Sequence, residues 1–372
     1  MGTHHGRELW RRPVLRAPSR SAVPRVPRPG RTRRMATAAT ILALACGLAT
    51  TGCGGGTTAG PTATTGVVGV ITPKTTPFWR AYKAAVPSQA KAHGVKMLPT
   101  VNSQSDIHKQ ISDIHTLLVQ QVKGLVVGPL DSAAIRPGLR AAEQAGVPVV
   151  AVDVAPDSGK VAMVVRADNR AFGRKSCQYL GDAVKTGKVV QIQGGLASVN
   201  GRDRTESFLA CMAKHYPRIK VLNIRADWQA GKAAVGLDSL YHANPDIKGI
   251  YLQAGGDYLV PALSILERNN ALFPVGNPRH ITIVANDGIP QELDAIRKGE
   301  IDATVSQPID LYAKYAMSYI KKAMEGQKFA PGPTDHGSTI VRLPSGLLED
   351  RLPAPVVTKR NVNDPSLWGN RV

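Results

Sequence analysis

The 372-residue chain is poor in aromatic residues, which make up 5%, and poor in acids, with 27 Asp and Glu against 47 Lys and Arg for a net charge of +20. Its four cysteines are too few for a disulfide-built scaffold. It contains no G-x-S-x-G, no H-E-x-x-H and no Walker lysine loop, so the local signatures of serine hydrolases, zinc peptidases and P-loop enzymes are missing. His108 and His115 stand seven apart, two helical turns rather than the single turn of a zinc helix, and Gln193-Gly194-Gly195 is too short for a dinucleotide fingerprint. No catalytic constellation assembles, and neither a metal nor a cofactor is expected. The basic excess is no nucleic-acid signature either. Ten Arg and one Glu in Met1–Arg34 supply +9 of it, residues 35–52 are uncharged, and the remaining +11 is scattered from Cys53 onward. No basic run is interleaved with aromatics, and no helix-turn-helix or zinc-finger spacing occurs, which argues against nucleic acid as a partner. Beyond the N-terminal region, no apolar run is long enough to span a bilayer.

What is present begins with a targeting segment. Arg31-Thr32-Arg33-Arg34 precedes an uncharged stretch, Met35–Ala49, too short for a comfortable membrane span. Thr50-Thr51-Gly52-Cys53 follows, and then Gly54-Gly55-Gly56-Thr57-Thr58. The arrangement resembles a bacterial lipoprotein signal, with a small residue before the cysteine and a flexible tether after it. The resemblance implies cleavage before Cys53, lipidation of Cys53, and a protein held outside the cell membrane by a lipid anchor. It departs from the pattern at Thr50, where Leu is preferred, and Cys46 is a rival site with less apolar sequence before it. Residues 1–52 are thus read as an export region and 53–65 as a tether. The other two cysteines, Cys177 and Cys211, fall on separate predicted helices; an oxidising compartment permits a disulfide between them, and two separate buried thiols are the other reading.

From Gly66 the pattern alternates strand and helix. Apolar runs such as Val67–Ile71, Leu125–Val127 and Val149–Val152 are short and flanked by Gly or Pro, as buried parallel strands are. Eleven strands are expected, with nine helices over about 78–92, 105–122, 132–145, 169–186, 202–216, 229–243, 257–269, 289–299 and 309–326. The fold class is therefore α/β with parallel sheets covered on both faces. Eleven strands divide better into two sheets than one, the first group ending near Asp168-Asn169 and the second starting at Lys188. Pro87 predicts a kink or early stop in the first helix. The tail from Leu343, with four prolines and little periodicity, reads as extended chain over the surface.

Open α/β sheets bind ligands beyond the carboxyl ends of their strands. Phe78 and Trp79 open a helix just after the first strand, behind Thr76-Pro77, where core packing is the competing reading. Asp153, Asp287 and Gln307 end strands or closely follow them, Arg204 lies at a helix start and Trp228 follows a strand. Asp153 and Asp287 also suit helix caps or turns. Taken together, carboxylates that accept from hydroxyls, Arg and Gln groups that donate, and aromatic faces for C–H surface suit a small polyhydroxylated ligand.

These stretches resemble the type I periplasmic sugar-binding proteins, the ribose- and galactose-binding relatives of bacterial ABC importers. The resemblance rests on Thr76–Trp79, Gly124–Asp131, Pro148–Asp153, Asp168-Asn169, Arg204–Phe208, Ala285–Gly288 and Ala303–Gln307, in that order, and covers about Val67 to Val341. It implies two Rossmann-like lobes joined by a three-segment hinge, with ligand in the cleft between them. Lobe one is then 66–168 plus 308–335, lobe two 169–307 plus 336–360, and 361–372 a C-terminal tail, with crossings near Asp168, Gln307 and His336. By the same resemblance Thr76, Phe78, Trp79 and Asp153 line one side of the cleft, Arg204, Trp228 and Asp287 the other, and Gln307 the hinge. The implied role is capture of a small sugar or polyol by a monomer and its delivery to an ABC transporter permease; a sensor presenting the same ligand to a membrane receptor is the alternative. The ribose-type pattern has Asn near Gly128, Arg at Val154, Asn near Gly256 and Asn at Thr76. These departures point away from ribose toward another pentose, a deoxysugar or a sugar alcohol, with Tyr258 placed to compensate in part.

Overall fold

The computed structural model describes residues 66–372; the export region, the tether and Cys53 lie outside them. The strands are β1 (Val67–Thr72), β2 (Lys96–Met97), β3 (Val101–Asn102), β4 (Gly124–Val127), β5 (Val149–Val152), β6 (Met163–Ala167), β7 (Gly187–Gln193), β8 (Ile219–Arg225), β9 (Ile247–Leu252), β10 (Thr282–Asp287), β11 (Ala303–Ser306), β12 (Gly332–Pro333), β13 (Thr339–Arg342), β14 (Leu348–Leu352) and β15 (Val356–Thr358). The helices are α1 (Pro77–Ala92), α2 (Ile107–Val119), α3 (Arg136–Gln144), α4 (Asn169–Val184), α5 (Val199–His215), α6 (Ala230–Ala243), α7 (Gly255–Arg268), α8 (Pro290–Lys298) and α9 (Ile309–Met324). A short 3-10 turn, Trp368–Asn370, closes the chain.

Two sheets result. The first runs β12-β13-β14-β6-β5-β4-β1-β2, with β3 also paired to β1; the second runs β15-β11-β10-β9-β7-β8. All pairings are parallel except β12–β13, β13–β14 and β11–β15. Alternation of side chains along each strand splits its apolar run between two cores. In the first sheet Val126, Val150 and Val165 face α1 and α9, while Leu125, Val127 and Val149 pack with Ile114, Leu117 and Leu139 of α2 and α3. In the second sheet Val190, Ile192 and Ile250 face α6 and α7, while Val189, Tyr251 and Val284 meet α4 and α5. A disulfide, Cys177–Cys211, joins α4 to α5.

The chain passes between the sheets at Asp168, at Gln307-Pro308, and between Leu352 and Val356. The third passage was expected near His336, with 336–360 in lobe two. Instead residues 339–352 extend the first sheet, and only β15 joins the second. Of the surface tail expected from Leu343, residues 348–352 instead form a strand, in which Glu349 and Asp350 are fully buried. The run Leu348-Glu349-Asp350-Arg351-Leu352 has no apolar periodicity because its charges are neutralised in place. Glu349 accepts from Arg166 and from Arg351 Nε at 2.8 Å; Asp350 meets His336 Nε2 at 2.9 Å and accepts from the Tyr319 hydroxyl at 3.1 Å and from Ser338. Buried charges persist only when paired in this way. Pro87 does not stop α1, which continues to Ala92. Among the described residues no helix is long and apolar enough to cross a membrane.

Candidate functional site

Strands of both sheets end at a common cleft, where the local chain leaves regular structure. Asp153, Asp227, Trp228 and Asp287 all have positive φ, at 65°, 52°, 58° and 129°. Such backbone costs about 1–3 kcal/mol per residue and gathers at functional sites.

On the first-sheet side, the Thr76 hydroxyl caps α1 by accepting from Trp79 N–H, and Pro77 fills the first helical turn. This turn aims Phe78 and Trp79 inward, edge to face at 5.4 Å. Both are 4% exposed and both belong to the core and to the cleft wall, so the packing and binding readings hold together. Trp79 can lie where it does because residue 128 is glycine: a Cβ there would fall within 3.0 Å of Trp79 Cη2 and Cζ3. Asp153 follows β5, is 7% exposed, and accepts from Asn200 Nδ2 at 3.2 Å. Burial pushes its carboxyl up to about 6, against the pull of Arg204 and Arg166.

On the second-sheet side, Arg204 is 2% exposed on α5. Its Nε donates to Asn169 Oδ1 at 2.7 Å and its Nη1 to the Gln253 carbonyl, and its guanidinium lies 4.9 Å from the Phe172 ring and 5.6 Å from that of Trp228. Trp228 stacks on Tyr258 at 6.5 Å and 9° between planes. It rests on Gly194, where a Cβ would fall within 3.0 Å of three of its ring carbons. Tyr258 does not compensate for Gly255-Gly256 in the cleft. It is fully buried, its hydroxyl donating to the Gln193 carbonyl and accepting from Trp228 N–H, so it supports Trp228 from behind. Asp287 accepts from Gly256 N–H at 2.9 Å and from Gln307 Nε2 at 2.7 Å. Burial pushes it up to about 6 as well, with Arg204 opposing. Gln307 in turn accepts from the Tyr312 hydroxyl, which accepts from Ala167 N–H. A polar chain thus runs from Asp287 in the second sheet to β6 in the first.

All eight residues chosen from the sequence, Thr76, Phe78, Trp79, Asp153, Arg204, Trp228, Asp287 and Gln307, line this one cavity, which holds about 510 Å³ of empty space including its open mouth. Sequence reasoning missed Lys74, Asn200 and Asp257, which line it too. Asn200 was findable, because it lies four residues before Arg204 on the same helix. Lys74 and Asp257 gave no such signal, since each reads alone as a solvated charge. Trp368, placed in the tail, is 3% exposed and donates from Nε1 to the Asp287 carbonyl at 3.3 Å.

Residues 68–328, over two thirds of the chain, match the periplasmic binding protein domain family. The chain belongs to this family. Its similarity extends to the ribose import binding protein of Bacillus subtilis, 29% identical over 68% of this chain and 79% of that protein. A xylitol-binding protein of Mycolicibacterium smegmatis is 28% identical over 71% of this chain and 73% of its own. Among solved structures, an ABC transporter solute-binding protein from Mycobacterium smegmatis with bound glycerol superposes with a TM-score of 0.69 at 26% identity, covering 80% of this chain and 95% of that one. In this periplasmic binding protein the inter-sheet cleft is therefore the place to seek a ligand.

Proposed function

We propose that this protein is an extracytoplasmic solute-binding protein that encloses a small neutral sugar or polyol between two lobes and passes it to an ABC transporter permease. One observation carries the reading. Two tryptophans, one per side, are each seated on a glycine at a strand end, and two buried carboxylates and a buried arginine converge between them. Indole faces cover the C–H surface of a sugar ring, and carboxylates accept from its hydroxyls. The sugar- and polyol-binding relatives support the same class of ligand. Lobe one would comprise 66–167 with 308–352 and lobe two 168–307 with 356–360, 353–355 being the third hinge segment. Ligand bridging the cleft stabilises the closed form because only the closed form offers both walls. Lipidation at Cys53 would keep the monomer near its permease and raise its effective concentration there.

The test is a thermal-shift screen of the purified protein against pentoses, hexoses, deoxysugars and polyols, since a ligand of the folded state raises its melting temperature by mass action. A clear shift with one or two of them is expected, confirmed by calorimetric titration. Binding confined to amino acids or peptides would refute the reading.

A further inference from the structure

The cleft has a graded exposure. Asp153, Arg204, Asp287 and Gln307 are nearly sealed, whereas the side chains of Lys74 and Asp257 keep 16% and 14% of their surface. These two form its rim. Lys74 comes from the loop between β1 and α1, Asp257 from the first turn of α7, so the pair joins one side of the cleft to the other. Its geometry is bidentate, Nζ to Oδ2 at 2.9 Å and to Oδ1 at 3.2 Å, and Nζ also lies 5.8 Å from the Trp228 ring centre.

The charge inventory says what such a rim accepts. Among the described residues two cations line the cavity: Lys74 is paired with Asp257, and Arg204, held by the neutral acceptors Asn169 and the Gln253 carbonyl, acts on Asp153 and Asp287. Three carboxylates line it, Asp153, Asp257 and Asp287. A phosphate or carboxylate on the ligand would compete with three carboxylates for two cations. A glycosidic substituent reaching the rim would have to part the ion pair.

We propose that Lys74 and Asp257 are specificity-determining residues: they form a latch across the cleft mouth that restricts the ligand to a neutral, unsubstituted compound of monosaccharide size. The ligand-class half rests on the sugar reading above; the latch half rests on the geometry of the Lys74–Asp257 pair alone.

Small-angle X-ray scattering of the ligand-free protein tests the latch. Lys74→Met and Asp257→Ala should each raise the radius of gyration, and the reversed pair Lys74→Asp/Asp257→Lys should return it toward the wild-type value with an unchanged far-ultraviolet dichroism spectrum. Single variants scattering as wild type does would overturn the latch. Titration calorimetry with D-ribose, D-arabinose, xylitol, methyl D-riboside, methyl D-arabinoside and D-ribose 5-phosphate tests the ligand class. At least one free compound should bind wild type about tenfold more tightly than its derivatives, and the single variants should lose about fivefold for that compound. A glycoside or the phosphate ester binding wild type as tightly as its parent would overturn the class. If none of the six binds wild type, the compound giving the largest thermal shift and its methyl glycoside replace them in the same comparison, and the scattering comparison decides the latch independently.

Discussion

Gly194→Ala isolates what one aromatic face contributes. The substitution adds a single methyl, yet its Cβ would fall within 3.0 Å of Trp228 Cη2, Cζ2 and Cζ3, rigid ring atoms that cannot give locally. The indole must leave its seat, losing its stack on Tyr258 and its contact with Arg204. If half of the roughly 150–250 Å² that an aromatic side chain buries faces the ligand, the lost cover at about 25 cal/mol per Å² is about 2 kcal/mol. That is roughly a thirtyfold rise in Kd. The assay is titration calorimetry with the compound giving the largest thermal shift in wild type, with indole fluorescence reporting movement of the ring. Gly231→Ala in α6 is the control: a Cβ there meets nothing within 4 Å, so binding should be unchanged while the helix gains about 0.5–1 kcal/mol. Gly194→Ala binding within threefold of wild type would refute Trp228 as a ligand face.

Three shorter predictions follow. Asp153 and Asp287 both sit near 6 in the folded protein, raised by burial from 3.8. Between about pH 4 and 6 the folded state therefore holds protons the unfolded state has released, and these carboxyls lower stability as pH rises through that window. Hydroxyls donate to the charged form, so affinity should change in the opposite sense, about tenfold weaker at pH 5 than at pH 7 for each carboxyl engaged; a flat titration series across that range would exclude both. Arg204→Ala should weaken binding by at least about tenfold and, by removing the donor to Asn169 Oδ1 and one of the two donors to the Gln253 carbonyl, cost roughly 1–3 kcal/mol of stability in urea melts. The double variant Cys177→Ser/Cys211→Ser opens a loop of 34 residues and should lower stability by roughly 3–4 kcal/mol; unchanged melting would mean that the α4–α5 packing needs no staple.

The parallel strands were legible because burial on both faces leaves an unbroken apolar run, as in Val149-Val150-Ala151-Val152. The cleft residues were legible for a positional reason, standing where such runs stop. β14 was not, because it pays for burial with ion pairs and hydrogen bonds to Arg166, His336 and Tyr319, partners 14 to 183 residues away that no local pattern reveals. The Cys177–Cys211 bond and the Lys74–Asp257 bridge share that character. Each is a pair whose members look ordinary alone and acquire meaning only from three-dimensional proximity.

Proximity also changes the meaning of the departures from the ribose-type pattern. Read along the chain, Gly128 and Gly256 are lost side chains that leave room for a ligand. In the fold the space beside Gly128 is taken. Trp79 occupies the position a side chain at 128 would need, whereas a Cβ at 256 would meet nothing nearer than Asp287 Oδ2 at 3.3 Å. Gly128 is one half of a coupled exchange, the other half being Trp79. Restoring one half alone should therefore fail. Gly128→Asn reinstates the residue type of the ribose pattern but drives Trp79 from its seat, so it should bind D-ribose no better than wild type does, and should weaken the wild-type ligand by about tenfold or more as an indole face is lost. Titration of both proteins with D-ribose and with that ligand decides the matter. A gain in ribose affinity would mean the space beside Gly128 is vacant in solution and that Trp79 belongs to the core alone.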